Sequence, residues 1–574
     1  MKKVLCILLS LVITLSAVCI SGFAREADAP DLCIAVASDL HYNVARDVIT
    51  EDIPGEEIFW YANRRAQMED ESGFIIDEFL RQCAENDSVE YVLIAGDMAD
   101  NGRTIPQEHH DVAAKLKAFE EQTGKSVYVI NGNHDNGVKS EGVTGIEDII
   151  EIYRDFGYDE ALDTLEGTCS YTANLGEKYR LIALDSCNAS VSTEDGLTSD
   201  RVQWVKKMAK KAYDEGRYPI VMMHHNLLDH MPLQRILSHD FIVRNHTATA
   251  TKFADWGIKV VLSGHEHCSD ATSYTSPSGN TIYDFANTSL TMFPIAYRVM
   301  SFSDDEIKYE NKKIESIDVD ALTEVCDGFT EEQISFMKND FEGYSKGFLK
   351  AGIKYRLSLS LSKEKLGIDE DAFYADLVYT AVFGLTDLLE MPLYGEGGVQ
   401  ELAKEFNIDI PDVDYENGWD LATDLVSWHY AGSEPFNLES PEVITLLRMV
   451  DLILLQDLSN VNDKVFLKSA NALLENLGTS TICGDFTRFC TKIFGPVTAG
   501  EYFLLAVASP LLYVFASDSD GVDDNNGFVP GYGTVTAAQR SADAAANFRS
   551  ILEKLVTYFG FFITYFLRIF RINL

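Results

Sequence analysis

Positive charge is what this chain has least of. Its 574 residues hold 47 Lys and Arg against 90 Asp and Glu, a formal net charge of −43. Nucleic-acid binding draws on Lys and Arg that neutralise phosphates, so such an acidic chain is a poor partner for DNA or RNA. A small phosphate ester stays open as a ligand, because bound metal cations reverse the field locally. Cysteine is sparse as well. Ten are spread along the chain and none stand in C-x-x-C spacing, which speaks against zinc ribbons and a dense disulfide framework. Cys483 and Cys490 could pair in an oxidising compartment, although buried free thiols are the plainer reading. No G-x-S-x-G sequence offers a serine nucleophile. No internal repeat of solenoid period is visible.

What is present describes an ordinary globular protein of more than one domain. Hydrophobic residues make up 46% and charged ones 24%, which argues against disorder, and the length exceeds what one core usually holds. At the N-terminus, Lys2 and Lys3 precede the uncharged apolar run Val4–Ile20, and Gly22 and Ala24 follow at signal-peptidase spacing. Residues 1–24 are therefore read as a secretory signal that carries away Cys6 and Cys19. An uncleaved anchor is the alternative, since the run nearly reaches spanning length; Val18 before Cys19 fits a lipobox poorly. The expected location is extracellular or at the cell surface.

From Leu32 to Ile314 short apolar runs alternate with amphipathic stretches. Leu32–Ala37, Tyr91–Ala95, Val127–Ile130, Leu181–Leu184, Ile220–Met223 and Val260–Leu262 read as strands. Phe74–Cys83, Val112–Glu121 and Arg201–Tyr213 read as helices. This alternation predicts a layered α/β (α+β) domain over 32–314. Its last part, Thr272–Thr275, Thr281–Phe285 and Tyr297–Phe302, reads as antiparallel strands. A mainly helical region is expected over 318–500, with helices at Phe336–Leu349, Ala372–Leu389, Glu442–Leu455 and Lys464–Leu477. It carries no chemical motif, and His429 beside Trp428 reads as structural. Residues 501–574 are apolar, with Tyr502–Ala516 broken by Pro510. An acidic loop containing Asp518, Asp520, Asp523 and Asp524 lacks the Glu that closes a calcium loop and reads as solvated. Leu555–Leu567, flanked by Lys554, Arg568 and Arg571, has two open readings: an interfacial membrane helix within 555–572, or a terminal helix packed on the protein.

Five motifs sit just past predicted strands, where layered α/β sheets place ligand sites. Asp39-Leu40-His41 follows the first strand; residues two apart in an extended chain face the same way, so both can face one ion. Gly96-Asp97-Met98-Ala99-Asp100 follows the second; Asp97 has two oxygens with which to bridge two ions, while Asp100 reads as an acceptor for loop N–H groups. In Gly132-Asn133-His134-Asp135, Asn133 offers a neutral oxygen, and Asp135 is placed to orient His134 as a proton donor. His224-His225-Asn226 and Gly264-His265-Glu266-His267 complete the set. Carboxylates, imidazoles and one amide suit zinc, iron or manganese.

In this order the motifs resemble those of the calcineurin-like metallophosphoesterases, and among them the cyclic-nucleotide and glycerophosphodiester phosphodiesterase branch. Asn226 departs from that branch, which commonly has proline there. The resemblance implies a β-sandwich flanked by helices and two divalent or trivalent metal ions. It implies that Asp39, His41 and His267 hold one, that Asn133, His224 and His265 hold the other, and that Asp97 bridges them. His224 is chosen over His225 because the family's ligand is the first residue after the strand. It implies that His134 contacts the phosphoryl oxygen or protonates the leaving alkoxide. Two dications lower the pKa of a water between them, and hydroxide then attacks phosphorus in line. The expected activity is hydrolysis of a small phosphodiester or phosphomonoester, with the diester favoured. Two alternatives stand beside it: an inactive surface protein on the same scaffold, and an enzyme that acts on phospholipid at the membrane. Tyr42, Arg103 and the insertion Val44–Tyr61 are further candidates for the pocket, with a plain loop role the simpler reading. Oligomeric state is not readable from the sequence.

Overall fold

Strand β1 (Leu32–Ala37) is buried at every position. Such a strand must be apolar throughout, because both of its faces are covered. It pairs in parallel with β2 (Tyr91–Ile94), which pairs in parallel with β3 (Ser126–Val129). The structure, a computed structural model, describes residues 30–44, 66–187, 197–231, 234, 240–360, 384–437, 439–456 and 522–533. The apolar runs Val4–Ile20 and Leu555–Leu567, the pair Cys483 and Cys490, and the predicted helix Lys464–Leu477 lie outside these residues. So do most of the insertion Val44–Tyr61 and most of the predicted helix Ala372–Leu389.

Helices fill the crossovers. Between β1 and β2, α1 (Ser72–Glu85) buries Ile75, Ile76, Phe79, Leu80 and Cys83 as one apolar stripe. Between β2 and β3, α2 (Pro106–Thr123) opens with Pro at its first turn and closes on Gly124 in the left-handed conformation. A short helix, α3 (Ile146–Ile152), leads to the second sheet. That sheet contains β4 (Asp163–Thr164), β5 (Tyr171–Leu175) and β6 (Tyr179–Leu184). It continues through α4 (Ser199–Asp214), β7 (Tyr218–Met223), α5 (His246–Asp255) and β8 (Val260–Ser263). The hairpin β9 (Asp270–Thr275) and β10 (Thr281–Ala286) completes it. The chain then returns to the first sheet with β11 (Ala296–Phe302) and β12 (Glu306–Lys313).

With a last strand, β13 (Asn526–Pro530), at one edge, the two sheets run β13-β12-β11-β1-β2-β3 and β4-β5-β6-β7-β8-β10-β9. They are mixed: β1–β3 are parallel to one another, as are β6, β7, β8 and β10. One continuous core fills the space between them, drawing on β1, β2, β3, β5, β6, β7 and β8. This is the layered α/β arrangement that the strand–helix alternation predicts, and the helix-flanked β-sandwich that the resemblance implies.

The helical region begins with α6 (Val319–Val325), α7 (Glu331–Asn339) and α8 (Phe341–Ser360). The single helix expected over Phe336–Leu349 is thus two. Asp340 stands at φ −154° between them, and its Oδ1 accepts the Gly343 N–H at 2.8 Å, which starts a new helix. Beyond it lie α9 (Val399–Glu405), α10 (Gly418–Tyr430) and α11 (Pro441–Gln456), with a core of their own that includes Leu389, Trp419, Leu421, Met449 and Leu452. A second small cluster, with Phe293, Leu349, Ile353 and Ala431, joins this region to the sandwich. Among the described residues no helix is long and apolar enough to cross a membrane.

The acidic segment near residue 520 corrects the solvated-loop reading where it is described. Asp524 is 5% exposed. Its carboxylate accepts the Ala271 N–H at 3.0 Å, and its carbonyl accepts from Arg298 at 2.9 Å. The chain then forms β13 (Asn526–Pro530), which pairs antiparallel with β12 and adds an edge strand to the first sheet.

Candidate metal centre

The five motifs leave β1, β2, β3, β7 and β8 at their C-terminal ends, and the two sheets bring these ends together. The exit of β1 lies along that of β2: the Asp39 and His41 N–H groups donate to the carbonyls of Gly96 and Asp97, each at 3.0 Å. The backbone there is strained. Asp39, His41, Asp97, His265 and His267 all have positive φ, between 40° and 68°. Non-glycine residues rarely adopt that region, and where they do, the surroundings must impose it. Two glycines make the crowding feasible. A Cβ on Gly132 would lie 2.1 Å from Asp97 Oδ1, and one on Gly264 would lie 1.8 Å from Ser38 Oγ.

Two ligand sets share one oxygen. In the first, His41 Nε2 is 3.1 Å from His267 Nε2, and Asp39 Oδ1 is 3.2 Å from His267 Nε2. In the second, His224 Nε2 is 2.9 Å from Asn133 Oδ1 and 3.1 Å from His265 Nδ1. Asp97 Oδ2 lies between them, 3.7 Å from His41 Nε2 and 3.3 Å from His224 Nε2. An ion with bonds of about 2.0–2.2 Å to nitrogen and oxygen needs its ligand atoms about 3 Å apart, and these separations fit.

The remaining lone pairs agree. Asp39 Oδ2 accepts the His265 N–H at 2.9 Å, and Asp97 Oδ1 accepts the His134 N–H at 2.7 Å. The other oxygens, Asp39 Oδ1 and Asp97 Oδ2, are buried with no hydrogen-bond partner. Buried acceptors left unpaired are costly, and a cation at either set would satisfy them. Of the two oxygens expected to bridge, Oδ1 is thus engaged by the His134 N–H, and Oδ2 is the one that would be shared.

Electrostatics tie the set together. Burial opposes ionisation of Asp39, but the neighbouring His267 and His224 outweigh it and hold the carboxyl well below the usual range. Asp97 behaves alike, with His224 and His134 opposing its burial. Burial opposes the charge on His41, yet its hydrogen bond to Asp100 and the nearby carboxylates of Asp39 and Asp97 lift it to about 10. Against the same opposition, Asp97 and Asp39 lift His224 to about 9.

All seven expected ligands and His134 are thus brought to one place. His225 is not among them: its Nδ1 is 2.9 Å from Ser186 Oγ, behind the site. Nor does Asp135 reach the ring of His134. Its carboxylate turns back to accept the N–H groups of Gly132 at 2.7 Å and Ala99 at 3.1 Å, and burial and the Asp97 charge push it up to about 7. The expectation that Asp135 orients His134 is corrected: the ring donates from Nδ1 to the Asp100 carbonyl at 2.8 Å. Asp100 also has a part that the motif reading missed. Its Oδ1 is 3.0 Å from His41 Nδ1, which fixes that ring with Nε2 toward the ion position, as outer carboxylates do for metal-bound histidines. The final Asp of G-D-x-x-D is the signal for it. Tyr42 points away to Asp111, and Arg103 donates to the Asn133 carbonyl, bracing the loop.

Residues 33–269 match the family model of the calcineurin-like phosphoesterases. The chain carries a calcineurin-like phosphoesterase domain. Families of this kind hydrolyse phosphoesters with two metal ions, and the paired ligand sets of this domain suit that chemistry. No curated protein matches the chain. Among solved structures it is similar to a dimetal phosphatase from Danio rerio, at 12% identity and a TM-score of 0.36, over 50% of this chain and 96% of that one. It is also similar to an NAD nucleotidase of Haemophilus influenzae, at 14% identity and a TM-score of 0.30, over 63% of this chain and 61% of that one. Vacuolar Protein Sorting 29 from Cryptosporidium parvum is similar at 10% identity and a TM-score of 0.21, over 49% of this chain and 91% of that one.

Proposed function

We propose that the chain is an exported phosphoesterase that hydrolyses a small phosphate ester, a diester in preference to a monoester. The observation that carries the reading is Asp97 Oδ2: buried, without a hydrogen bond, and set between His41 and His224 of two ligand sets. Asp39, His41 and His267 would hold one ion and Asn133, His224 and His265 the other. When bound, the pair would polarise the phosphoryl group and make water acidic enough to ionise near neutral pH.

The chain's own residues do the rest. The carboxylates of Asp39 and Asp97 supply the negative charge that holds cations in an otherwise imidazole-rich site. His134 and His267 are the two members that are only partly buried, so substrate approaches on their side. His134 stands edge-on to His41, with ring centroids 4.9 Å apart. Its Nδ1–H is held by the Asp100 carbonyl, which leaves Nε2 to carry a proton to the leaving alkoxide. Either ester can use such a donor, because its leaving group departs as an alkoxide. Export is supported by Lys2, Lys3 and the apolar run Val4–Ile20.

The test pairs metal analysis with hydrolysis of bis(p-nitrophenyl) phosphate and p-nitrophenyl phosphate. Wild type should bind metal and favour the diester. Asn133→Ala should lose metal, whereas His134→Ala should keep it and hydrolyse a dialkyl phosphate about 10²–10⁴-fold more slowly, with a smaller loss on the p-nitrophenyl esters, whose leaving group needs no proton. A wild type inactive on both esters across zinc, manganese and iron would overturn the reading.

A further inference from the structure

A second cluster of metal-ligating side chains lies outside the phosphoesterase centre. Glu266 and Cys268 belong to the loop that presents His265 and His267, but they meet a residue of the helical region, His429, in the last turn of α10. One ligand atom from each of Glu266, Cys268 and His429 lies within 4.8 Å of the other two. All three residues are buried, at 9%, 1% and 6% exposure.

Each is already prepared as a ligand would be. The Nδ1 of His429 is 3.0 Å from Glu434 Oε1. That bond fixes the ring, as an outer carboxylate orients a metal-bound histidine. The other oxygen, Glu434 Oε2, is buried without a hydrogen bond in a side chain only 6% exposed. Gln234 donates to Glu266 Oε2 and fixes that carboxylate in turn. Cys268 is a free thiol. Sulfur, imidazole nitrogen and carboxylate oxygen together are the ligand set of a borderline dication such as zinc.

We propose that Glu266, Cys268 and His429 bind a third metal ion of the zinc class, which fastens α10 to the loop that carries His265 and His267. The position of this ion is structural: it bridges the two regions of the chain from behind the ligand loop. The backbone already follows this path, since the Ser269 N–H donates to the Tyr430 carbonyl at 3.0 Å.

Cobalt(II) loading of the full chain tests this without reference to hydrolysis. The Asp97-bridged sets contain no sulfur, so a thiolate-to-cobalt charge-transfer band in the near ultraviolet reports on the third site alone. Wild type should show the band. Cys268→Ser should abolish it and lower bound zinc from about three ions per chain to about two; His429→Ala should lower zinc equally while the fold, followed by circular dichroism, is kept. A cobalt-loaded wild type without the band overturns the proposal even if neither variant folds. So does a band of full strength in Cys268→Ser.

Discussion

Around the candidate metal centre, five of the expected ligand residues hold left-handed backbone and two buried carboxylate oxygens lack hydrogen bonds. In the helical region the chain is relaxed. Among its described residues only Asn407 is left-handed without being glycine. Asn417 caps α10 through the Asp420 N–H at 2.9 Å, and Thr330 caps α7 in a capping box. The first region stores backbone strain, and unmet polar demand that an ion would relieve. The second is stabilised by apolar burial and capping, with the cluster at the last turn of α10 as its exception. Local discomfort therefore marks the chemistry, and local comfort marks the support.

The largest test of this contrast is Asp97→Asn. It removes the shared anionic oxygen and should cost more than the roughly 100-fold expected for an outer-shell partner, in activity and in bound metal together; hydrolysis assays and metal analysis would show it. If activity stayed near wild type, the strained region would not be the chemical one. Acid should act in the same direction. His41 and His224, lifted to about 10 and about 9 in the ion-free chain, must each lose a proton to bind metal. Below pH 9 uptake should weaken by about tenfold per pH unit for each proton displaced, a slope read by metal titration at several pH values. Asp100→Ala leaves every ligand in place but frees the ring of His41. It should weaken metal affinity about 10–100-fold, measured by competition with a chelator.

The smallest expected effect on chemistry comes from the other region. Leu452 on α11 is fully buried in the accessory core. Leu452→Ala should lower stability by about 2–5 kcal/mol in denaturant titration with metal content and turnover unchanged. A loss of metal there would show that the two regions are less separate than their packing suggests.

The same contrast explains what was legible. Strands buried on both faces, such as β1 and β8, are plain in sequence because they are uniformly apolar. The ligands are plain because short motifs hold them at strand ends. β12 is not: Glu306–Lys313 buries little beyond Ile307 and Tyr309 and reads as a charged loop. β13 contains Gly527 and Pro530 and reads as a turn; only the exposed edge of β12 makes it a strand. Asp135 misled for a related reason. It adjoins His134 in the chain, but the turn sends its carboxylate back to the Gly132 N–H. His429 shows the limit most clearly, since its neighbours Glu266 and Cys268 lie far away in sequence and only the fold brings them together.

The late arrival of β13 has a consequence for how the chain is made. Tyr309 at the sheet edge bonds to Asp523, 214 residues further on. During synthesis at about 5–20 residues per second, β12 stays an open edge for on the order of ten seconds or more after it emerges. An unpaired edge invites strands from other chains. The charges along Glu306–Lys313 are what guards the nascent sheet during that interval, until its own strand arrives to close it.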